Sequence, residues 1–314
     1  MSIEYAIIIK NKTRLESLIE RFNTKAQAKF YIENLGGDFS DYELEDSNFH
    51  RSLNSLQTQL SKVIKHKTID RDYLPSYIFS QSNIIIVIGQ DGLVANTAKY
   101  ANNVPIIAVN PDKNRFDGVL LPFDITDFLI GVIAVIENKA SARTLRFAEA
   151  RLNDNQRLLG FNDLFIGASS HVSAHYKISY KNKTEIQSSS GLIISTSAGS
   201  TGWLSSIFNM AYGVTNLFEK DLKPKNPKLK ESQLFFAVRE PFKSIRTQIG
   251  ITAGIVQNSN KLIIESLMPS KGIIFSDGIE KDFLNFNSGA IAEIGIADEK
   301  ATLIINTTPH NNDE

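Results

Sequence analysis

The chain of 314 residues is long for one hydrophobic core, so two domains are expected. Its 34 Lys and Arg residues balance 34 Asp and Glu residues, so no global charge favours nucleic acid or an anionic membrane as partner. The absence of cysteine excludes disulfides, thiolate metal sites and a cysteine nucleophile. No apolar stretch approaches the ~20 residues that cross a bilayer, and the first ten residues predict a strand rather than a signal peptide. A cytoplasmic protein is the simplest interpretation.

The first half alternates strand-like and helix-like segments. Apolar runs predict buried strands at residues 4–10, 83–89 and 104–110. Helical spacing of apolar residues predicts helices over residues 14–37, 52–67 and 124–140. Asp124 or Thr126 can cap the last of these helices. The pattern predicts an α/β domain with an open parallel sheet over residues 1–143, whose ligands bind beyond the carboxyl ends of the strands.

The second half changes to alternation of apolar and polar residues with period two. Short strands are predicted at residues 144–152, 175–182, 261–268, 272–278, 290–297 and 301–306. One helical insert begins near Thr201. The pattern predicts an antiparallel β-rich domain over residues 144–314, whose last ~30 residues can pack back on the first domain.

Asp91 is the first candidate for chemistry, in the stretch IGQDGLV at residues 88–94. Gly89 and Gly92 let a ligand approach the main chain, and the helix that follows offers free N–H groups suited to phosphate. A carboxylate in this place can orient or deprotonate an attacking hydroxyl. The alternative is that Asp91 only caps the helix.

Two further stretches in the second half offer polar groups to a ligand. GLIISTSAGSTGW, at residues 191–203, joins a strand to a helix through a turn rich in Gly, Ser and Thr, which suits an anionic or sugar-bearing ligand. Trp203 can stack on a purine or serve as a core aromatic residue. Asn162 and Asp163 precede a predicted strand, where such a pair is often only turn chemistry.

Several common signatures are missing from the sequence. It contains no G-x-x-x-x-G-K-[ST] phosphate loop, no G-x-G-x-x-G after a strand and no protein-kinase catalytic loop. His171 and His175 have the spacing of metal ligands on a helix, but their surroundings are strand-like and no third ligand is evident. No protein metal site is therefore expected.

The order of three elements resembles the NAD kinase family. These elements are G-x-D-G after a strand, Asn followed by an acidic residue, and GLIISTxxGST before an aromatic residue. That family transfers the γ-phosphate of ATP to the 2′-hydroxyl of the adenosine ribose of NAD. The sequence is most similar to the mitochondrial-type group in KTR at residues 12–14 and in the stretches AVNPDKNRFDGVL, FNDLFIGASS, SSSGLIISTSAGSTGW and VREPF. The resemblance implies the two-domain NAD kinase fold.

The resemblance also implies roles for individual residues. Asp91 matches the catalytic aspartate. The positions that match NAD-binding residues are Gly89, Gln90, Gly92, Asn162, Asp163, Thr201, Gly202, Trp203 and Ser206. The positions that match ATP-binding residues are Lys12, Arg14 and Asn110. The implied partners are NAD and ATP with Mg²⁺, without a tightly bound cofactor. No nucleic acid or membrane is expected as partner, and the expected assembly is a homo-oligomer, either a dimer or a tetramer.

Gln90 departs from the family pattern, because the family usually has G-G-D-G at this motif. A side chain replaces hydrogen where the backbone should lie close to phosphate, so phosphoryl transfer could be lost. A second hypothesis is therefore a sensor of the same fold that binds NAD(H) or NADP(H). A third is a lipid-type or sugar-type kinase that shares G-x-D-G, although Asn162, Asp163 and Thr201 match dinucleotide positions and disfavour it.

Overall fold

The computed structural model describes residues 2–218 and 227–307, which form two compact units. The first unit contains residues 2–144 together with residues 301–307, and the second contains the described part of residues 145–300. Within the described residues, no helix is both long enough and apolar enough to cross a membrane. Each unit has its own hydrophobic core.

A parallel sheet forms the centre of the first unit. Its strands are β1 (Tyr5–Lys10), β2 (Lys65–Asp70), β3 (Asn83–Ile88), β4 (Ile106–Asn110) and the short β5 (Phe123–Asp124). The strand order is β4, β3, β1, β2, and β5 pairs with β4. Every one of these pairings is parallel. All residues of β3 and β4 are buried, as expected for apolar strands covered on both faces.

Five α-helices accompany this sheet. They are α1 (Arg14–Phe22), α2 (Lys25–Asn34), α3 (Ser40–Leu60), α4 (Asp91–Tyr100) and α5 (Phe128–Ile136). Apolar side chains of α3 and α5, including Leu56 and Phe128, pack with Ile86 and Ile107 of the strands. The prediction of an α/β domain with an open parallel sheet is confirmed.

Two of the predicted helices differ from the structure. The segment 14–37 is two helices, because Asn23 takes a left-handed conformation (φ 65°) and Thr24 caps α2. The helix predicted over residues 52–67 instead begins at Ser40 and ends at Leu60, and β2 follows it. Only Ile69 of β2 is buried, so its sequence carries almost no apolar signal.

The predicted cap of α5 is also wrong. Neither Asp124 nor Thr126 occupies the cap position, which belongs to Asp127. The carboxylate of Asp124 instead accepts hydrogen bonds from the N–H and the hydroxyl of Thr126. Short polar residues compete for such local bonds, so the sequence alone does not identify which of them precedes the helix.

The second unit is built from β-strands. They are β6 (Ala142–Leu152), β7 (Arg157–Gly160), β8 (Asp163–Ala168), β9 (Ala174–Tyr180), β10 (Lys183–Ser189), β11 (Leu192–Ser195), β12 (Leu234–Val238), β13 (Ala253–Val256), β14 (Leu262–Ser266), β15 (Gly272–Ser276), β16 (Ile279–Asn285) and β17 (Ile291–Ile304). A short 3-10 helix (Ala198–Thr201) and α6 (Trp203–Thr215) follow β11.

These strands form two layers with a shared core. One layer has the order β10, β9, β14, β17, with β6 beside β17 and β7 beside β6. The other layer has the order β13, β12, β11, β8, β15, β16, and all its pairings are antiparallel. Tyr176 and Ile264 of the first layer pack with Ile166 and Phe236 of the second. The predicted antiparallel β-rich half is confirmed.

The two strands predicted at residues 290–297 and 301–306 are one strand of 14 residues, β17. The charged segment between them stays extended, and Glu299 in this segment forms two hydrogen bonds with Arg157 at 2.7 and 2.9 Å. The last residues of β17 belong to the first unit, where Leu303 pairs in parallel with Ile106 of β4.

Candidate functional site

The first unit contains a cavity of about 580 Å³ at the carboxyl ends of its parallel strands. This is the edge at which open α/β sheets bind ligands, and the volume is typical of small-molecule sites. The lining segments follow β1, β2, β3 and β4 directly. Lining residues in those segments are Asn11, Lys12, Thr13, Arg14, Arg71, Gly89, Gln90, Gly92, Pro111, Asp112, Arg115 and Phe116.

Asp91 is the first residue of α4, and its half-buried carboxylate holds a neighbouring loop. Its Oδ1 accepts a hydrogen bond from the N–H of Leu120 at 2.9 Å, and its Oδ2 accepts one from the N–H of Val119 at 3.1 Å. Gln90 occupies the cap position, so the alternative that Asp91 caps α4 is not supported. The carboxylate lies beside the cavity rather than on its lining, and each oxygen keeps a lone pair for a further donor.

Asn110 shapes the loop that Asp91 holds. Its buried side chain accepts a hydrogen bond from the N–H of Asp112 at 2.9 Å and donates one to the carbonyl of Phe116 at 3.0 Å. Gly118 has φ 65°, and a Cβ there would lie 2.8 Å from Nδ2 of Asn110. Because Asn110 does not line the cavity, its assignment to ATP stays a prediction.

The G-x-D-G segment lies open to the cavity. Gln90 has φ −101°, an ordinary value for any side chain, so its presence causes no backbone strain. Its side chain is exposed, and no hydrogen bond of it is found in the described part of the chain. A Cβ at Gly92 would meet nothing within 4 Å. The protein's own packing therefore does not require glycine at residue 92.

Lys12, predicted to bind ATP, lines the cavity but is held by acidic side chains. Its ammonium group donates to Glu20 at 2.8 Å and lies 3.6 Å from Asp72. The hydrogen bond with Glu20 raises the pKa of Lys12 above its ordinary value. The lysine therefore remains charged, and any phosphate must share it with Glu20.

Arg14, also predicted to bind ATP, belongs to a cluster of four charges. Arg14 and Arg115 both contact Asp41 and Glu45, with Arg14 2.7 Å from Asp41 and Arg115 2.5 Å from Asp41. Hydrogen bonds from Arg115 and then from Arg14 hold the pKa of Asp41 far below its ordinary value. The Arg14 guanidinium also lies 4.5 Å from the ring centre of Tyr42. The cluster fixes both arginines on the cavity wall.

The sequence interpretation missed Arg115 and two further cations on the lining, Arg21 and Arg71. Arg21 lies over the rings of Phe22 and Tyr31 at 5.2 and 6.0 Å. Arg71 is half-buried, and within residues 2–218 and 227–307 neither arginine has an ion pair. The signal that could have found Arg71 is its position directly after a parallel strand.

In the second unit, Asp277 holds the turn that contains Asn162 and Asp163. Its carboxylate accepts hydrogen bonds from the N–H groups of Phe161 at 3.0 Å, Asn162 at 2.6 Å and Asp163 at 3.4 Å. Asp277 and Gly278 have φ 54° and 70°, typical of the tight turn that joins two antiparallel strands, here β15 and β16. The sequence interpretation missed this role of Asp277.

The Ser- and Thr-rich turn packs on the same segment. The hydroxyl of Thr196 donates to the carbonyl of Phe161 at 2.6 Å, and its N–H donates to the carbonyl of Asn162 at 2.9 Å. A Cβ at Gly199 would lie 2.0 Å from the Asn162 carbonyl oxygen. Glycine at residue 199 is therefore required by close packing, which places the 3-10 helix against Asn162.

Asp163 is a nearly buried carboxyl group, with 8% of the residue exposed. Burial, followed by the nearby charge of Asp277, raises the pKa of Asp163 to about 7. Within the described residues, no hydrogen bond is found for the carboxyl oxygens of Asp163 or for the side-chain amide of Asn162. Polar side chains that are shielded from water and lack a partner in the protein are suited to hydrogen-bond a ligand.

Trp203 is packed against aromatic residues of its own unit. Its ring lies 5.8 Å from that of Phe165 at an angle of 9°, and 6.5 Å from that of Phe275. The Arg239 guanidinium lies 5.5 Å from the Trp203 ring centre. These contacts support the core-aromatic alternative, and stacking on a purine stays a prediction.

The remaining residues assigned to NAD lie at the start of α6. Thr201, Gly202 and Ser206 are exposed, and the Ser206 N–H donates to the Gly202 carbonyl at 3.2 Å. Their contact with NAD also stays a prediction.

Replacing Asp163 by Asn should remove a pH-dependent cost of folding. The pKa of Asp163 rises from its ordinary value of 3.8 to about 7 on folding, so the wild type loses stability between about pH 4 and pH 7 and keeps that loss above pH 7. We expect Asp163→Asn to exceed the wild type in unfolding free energy by up to roughly 4 kcal/mol at pH 8 and to match it near pH 4. Urea unfolding across this range measures the difference.

Asp298→Asn, at an exposed position of β17, is the matched control for loss of a carboxylate that is not buried. An Asp163→Asn curve parallel to that of the wild type would contradict the burial argument.

Comparison with known proteins gives a structural likeness. No protein-family model matches the sequence, and no curated protein matches it significantly. Yeast NADH kinase complexed with NADH is 15% identical, with a TM-score of 0.60 over 98% of this chain and 85% of that one. An NAD kinase from Archaeoglobus fulgidus in complex with ATP is 14% identical, with a TM-score of 0.56 over 96% of this chain and 94% of that one. The chain therefore has the two-domain fold seen in NAD kinases.

Proposed function

We propose that this protein is an ATP-dependent NAD kinase, which phosphorylates the 2′-hydroxyl of the adenosine ribose of NAD. One observation carries the proposal: a carboxylate, Asp91, is held in place by two backbone N–H groups beside a cation-lined cavity at the strand ends. The fold supports the proposal, because its structural neighbours include an NADH kinase with NADH and an NAD kinase with ATP.

The cavity of the first unit is the proposed site for ATP, bound as its Mg²⁺ complex. The first turn of α4 leaves N–H groups without helical partners, and these suit phosphate oxygens. Lys12 and Arg14 add positive charge, while Leu18, Phe49 and Phe116 offer apolar surface to a base. Gly92, which the protein does not need for packing, gives phosphate room to approach.

The second unit supplies the proposed groups for NAD. Asn162 and Asp163 offer an amide and a carboxyl group that the described part of the protein leaves free. With a pKa of about 7, the Asp163 carboxyl group can donate or accept a hydrogen bond to a sugar hydroxyl near neutral pH. Thr201, Gly202 and Ser206 add exposed polar groups at the start of α6.

Phosphoryl transfer asks the protein mainly for positioning and for stabilisation of charge. In the proposed reaction, the free lone pairs of Asp91 accept the hydrogen bond of the attacking hydroxyl and then its proton. The oxygen of that hydroxyl attacks the γ-phosphorus, and the bond to the β-phosphate oxygen breaks, leaving ADP. Bound N–H groups on both Asp91 oxygens keep the carboxylate oriented throughout.

A sensor that binds NAD(H) or NADP(H) without phosphoryl transfer is the second candidate. The specific observation in its favour is that both oxygens of Asp91 already serve the loop at Val119 and Leu120. Gln90 also adds a side chain at the cavity wall. Incubating the protein with Mg-ATP and NAD, and measuring NADP with an NADP-specific dehydrogenase, decides between the two candidates.

Further parts of the proposal come from the sequence. NAD and Mg-ATP are the proposed partners, a homo-oligomer the proposed assembly, the mitochondrial-type group the proposed subgroup and the cytoplasm the proposed location. The role proposed in metabolism is formation of NADP.

Asp91→Asn should lower kcat by about 10²–10⁴-fold and leave NAD affinity nearly unchanged, because an amide cannot take the proton. The change also replaces one acceptor of the loop N–H groups, so we expect a loss of about 1–2 kcal/mol in unfolding free energy. Steady-state kinetics and urea unfolding measure the two effects. Turnover equal to that of the wild type would remove Asp91 from the mechanism.

Gly92→Ala should separate stability from ATP binding. The added methyl group meets open space within the protein and improves helix propensity, so unfolding free energy should stay equal or rise by up to about 1 kcal/mol. The same methyl group should obstruct phosphate and raise KM for ATP. Thermal unfolding and ATP kinetics on the purified variant measure both.

Gly213→Ala provides the matched control for Gly92→Ala, because a Cβ at this helical position of α6 also meets nothing within 4 Å. It should change stability similarly and leave KM for ATP unaltered. If Gly92→Ala binds ATP as the wild type does, the phosphates do not lie at the start of α4.

Gln90→Gly should lower kcat/KM for ATP by about 2- to 100-fold, if the free amide of Gln90 donates a hydrogen bond to a phosphate oxygen. We expect this result because the exposed side chain faces the cavity at an unstrained backbone position. Steady-state kinetics in ATP provide the measurement. An increase would show instead that Gln90 obstructs the phosphates.

A further inference from the structure

We propose that Arg71 binds the terminal phosphates of a nucleoside triphosphate in the cavity of the first unit. The inference rests on the proposed function, since it takes the cavity to be the ATP site. It identifies a phosphate-binding residue outside the motifs that suggested that function.

The topology of the sheet places Arg71 at the right edge. β2 and β3 flank β1 on opposite sides, and both pair with it in parallel. Lys10 pairs with Asp70 in register, so Arg71 leaves the sheet at the same level as Asn11. Two strand spacings, about 10 Å in total, separate the end of β2 from the end of β3. A long arginine side chain together with a triphosphate can span that interval.

The charges around the cavity distinguish Arg71 from its neighbours. Lys12 is paired with Glu20, and Arg14 and Arg115 are paired with Asp41 and Glu45. These ion pairs already satisfy much of their hydrogen-bonding capacity. Arg71 lines the same cavity, and the described part of the chain gives it no carboxylate partner. Arg21 also has no ion pair there, but its guanidinium lies over the rings of Phe22 and Tyr31.

The acidic residues next to Arg71 in sequence are themselves occupied. Asp70 lies 2.7 Å from the ammonium group of Lys10, and Asp72 lies 3.6 Å from that of Lys12. A half-buried guanidinium that has no carboxylate partner is unfavourable without an anion. The planar donor fork of arginine matches phosphate oxygens in pairs, so a phosphate group is the anion that fits.

The test measures how much affinity each added phosphate contributes. The dissociation constants of AMP, ADP and ATP, each with Mg²⁺, are determined by calorimetry for the wild type, Arg71→Gln and Arg71→Lys. The matched control is Arg51→Gln, an exposed arginine on α3 that does not line the cavity. We expect Arg71→Gln to weaken ATP binding by about 10- to 100-fold and AMP binding by less than about twofold. Arg71→Lys should recover part of the loss, since it keeps the charge but not the fork.

Equal loss for AMP and ATP in Arg71→Gln, or no loss for either, would overturn the inference. Failure of the wild type to bind ATP more tightly than AMP would overturn it as well. If Arg71→Gln loses the phosphate-dependent affinity but the wild type forms no NADP, the role of Arg71 stands and the kinase proposal fails. Steady-state kinetics add a further readout, because loss of a phosphate contact made in the bound substrate should raise KM for ATP more than it lowers kcat.

Discussion

Parallel pairing of β1 to β4 is the constraint on which the candidate site of the first unit depends. It brings the chain segments after four separate strands to one edge, although those segments lie far apart in sequence. The cavity, the start of α4 and the charge cluster around Asp41 all follow from that meeting of strand ends. The carboxylate of Asp91 holds the loop after β4 at this edge by accepting hydrogen bonds from two of its N–H groups.

In the second unit, as in the first, a carboxylate positions a loop by accepting hydrogen bonds from its N–H groups. Asp277, in the turn between β15 and β16, binds three successive N–H groups of the turn before β8. Without Asp277, these N–H groups would lack hydrogen-bond partners where water is largely excluded, which would cost free energy of folding. Because Asp277 accepts these bonds, the side chains of Asn162 and Asp163 are not needed to stabilise the turn. Each unit thus uses an aspartate to position a loop. Asp91 holds the loop after β4, and Asp277 holds the turn that bears Asn162 and Asp163.

Much of the fold could be predicted from the sequence, because burial leaves a strong pattern. The buried runs of β3 and β4 and the period-two alternation of the second half were recognisable. The edge strand β2 was not, since only Ile69 of its six residues is buried and polar residues make up the rest. An edge strand with lysines resists unwanted pairing, and the same composition hides it from analysis of hydrophobic periodicity.

The candidate site was predictable only in part, for a related reason. Glycines, Asp91 and the Asn162–Asp163 pair stand out by residue type, whereas Arg71 stands out only once β2 is known to precede it. The ion pairs of Lys12 and Arg14 join residues up to 60 positions apart, which no local pattern encodes. Trp203 was ambiguous because its aromatic partners come from β8 and β15.

The final strand has a consequence for how the chain can fold during synthesis. Residues 301–307 complete the first unit: Leu303 pairs with Ile106, and Asn306 donates to Asp127 at 2.7 Å. Until residues 301–307 have left the ribosome, β4 lacks this neighbour along part of its outer side. At ordinary rates of translation, that edge waits roughly 10–40 s for its partner. The exposed side of β4 can therefore mispair with another nascent copy until residues 301–307 emerge.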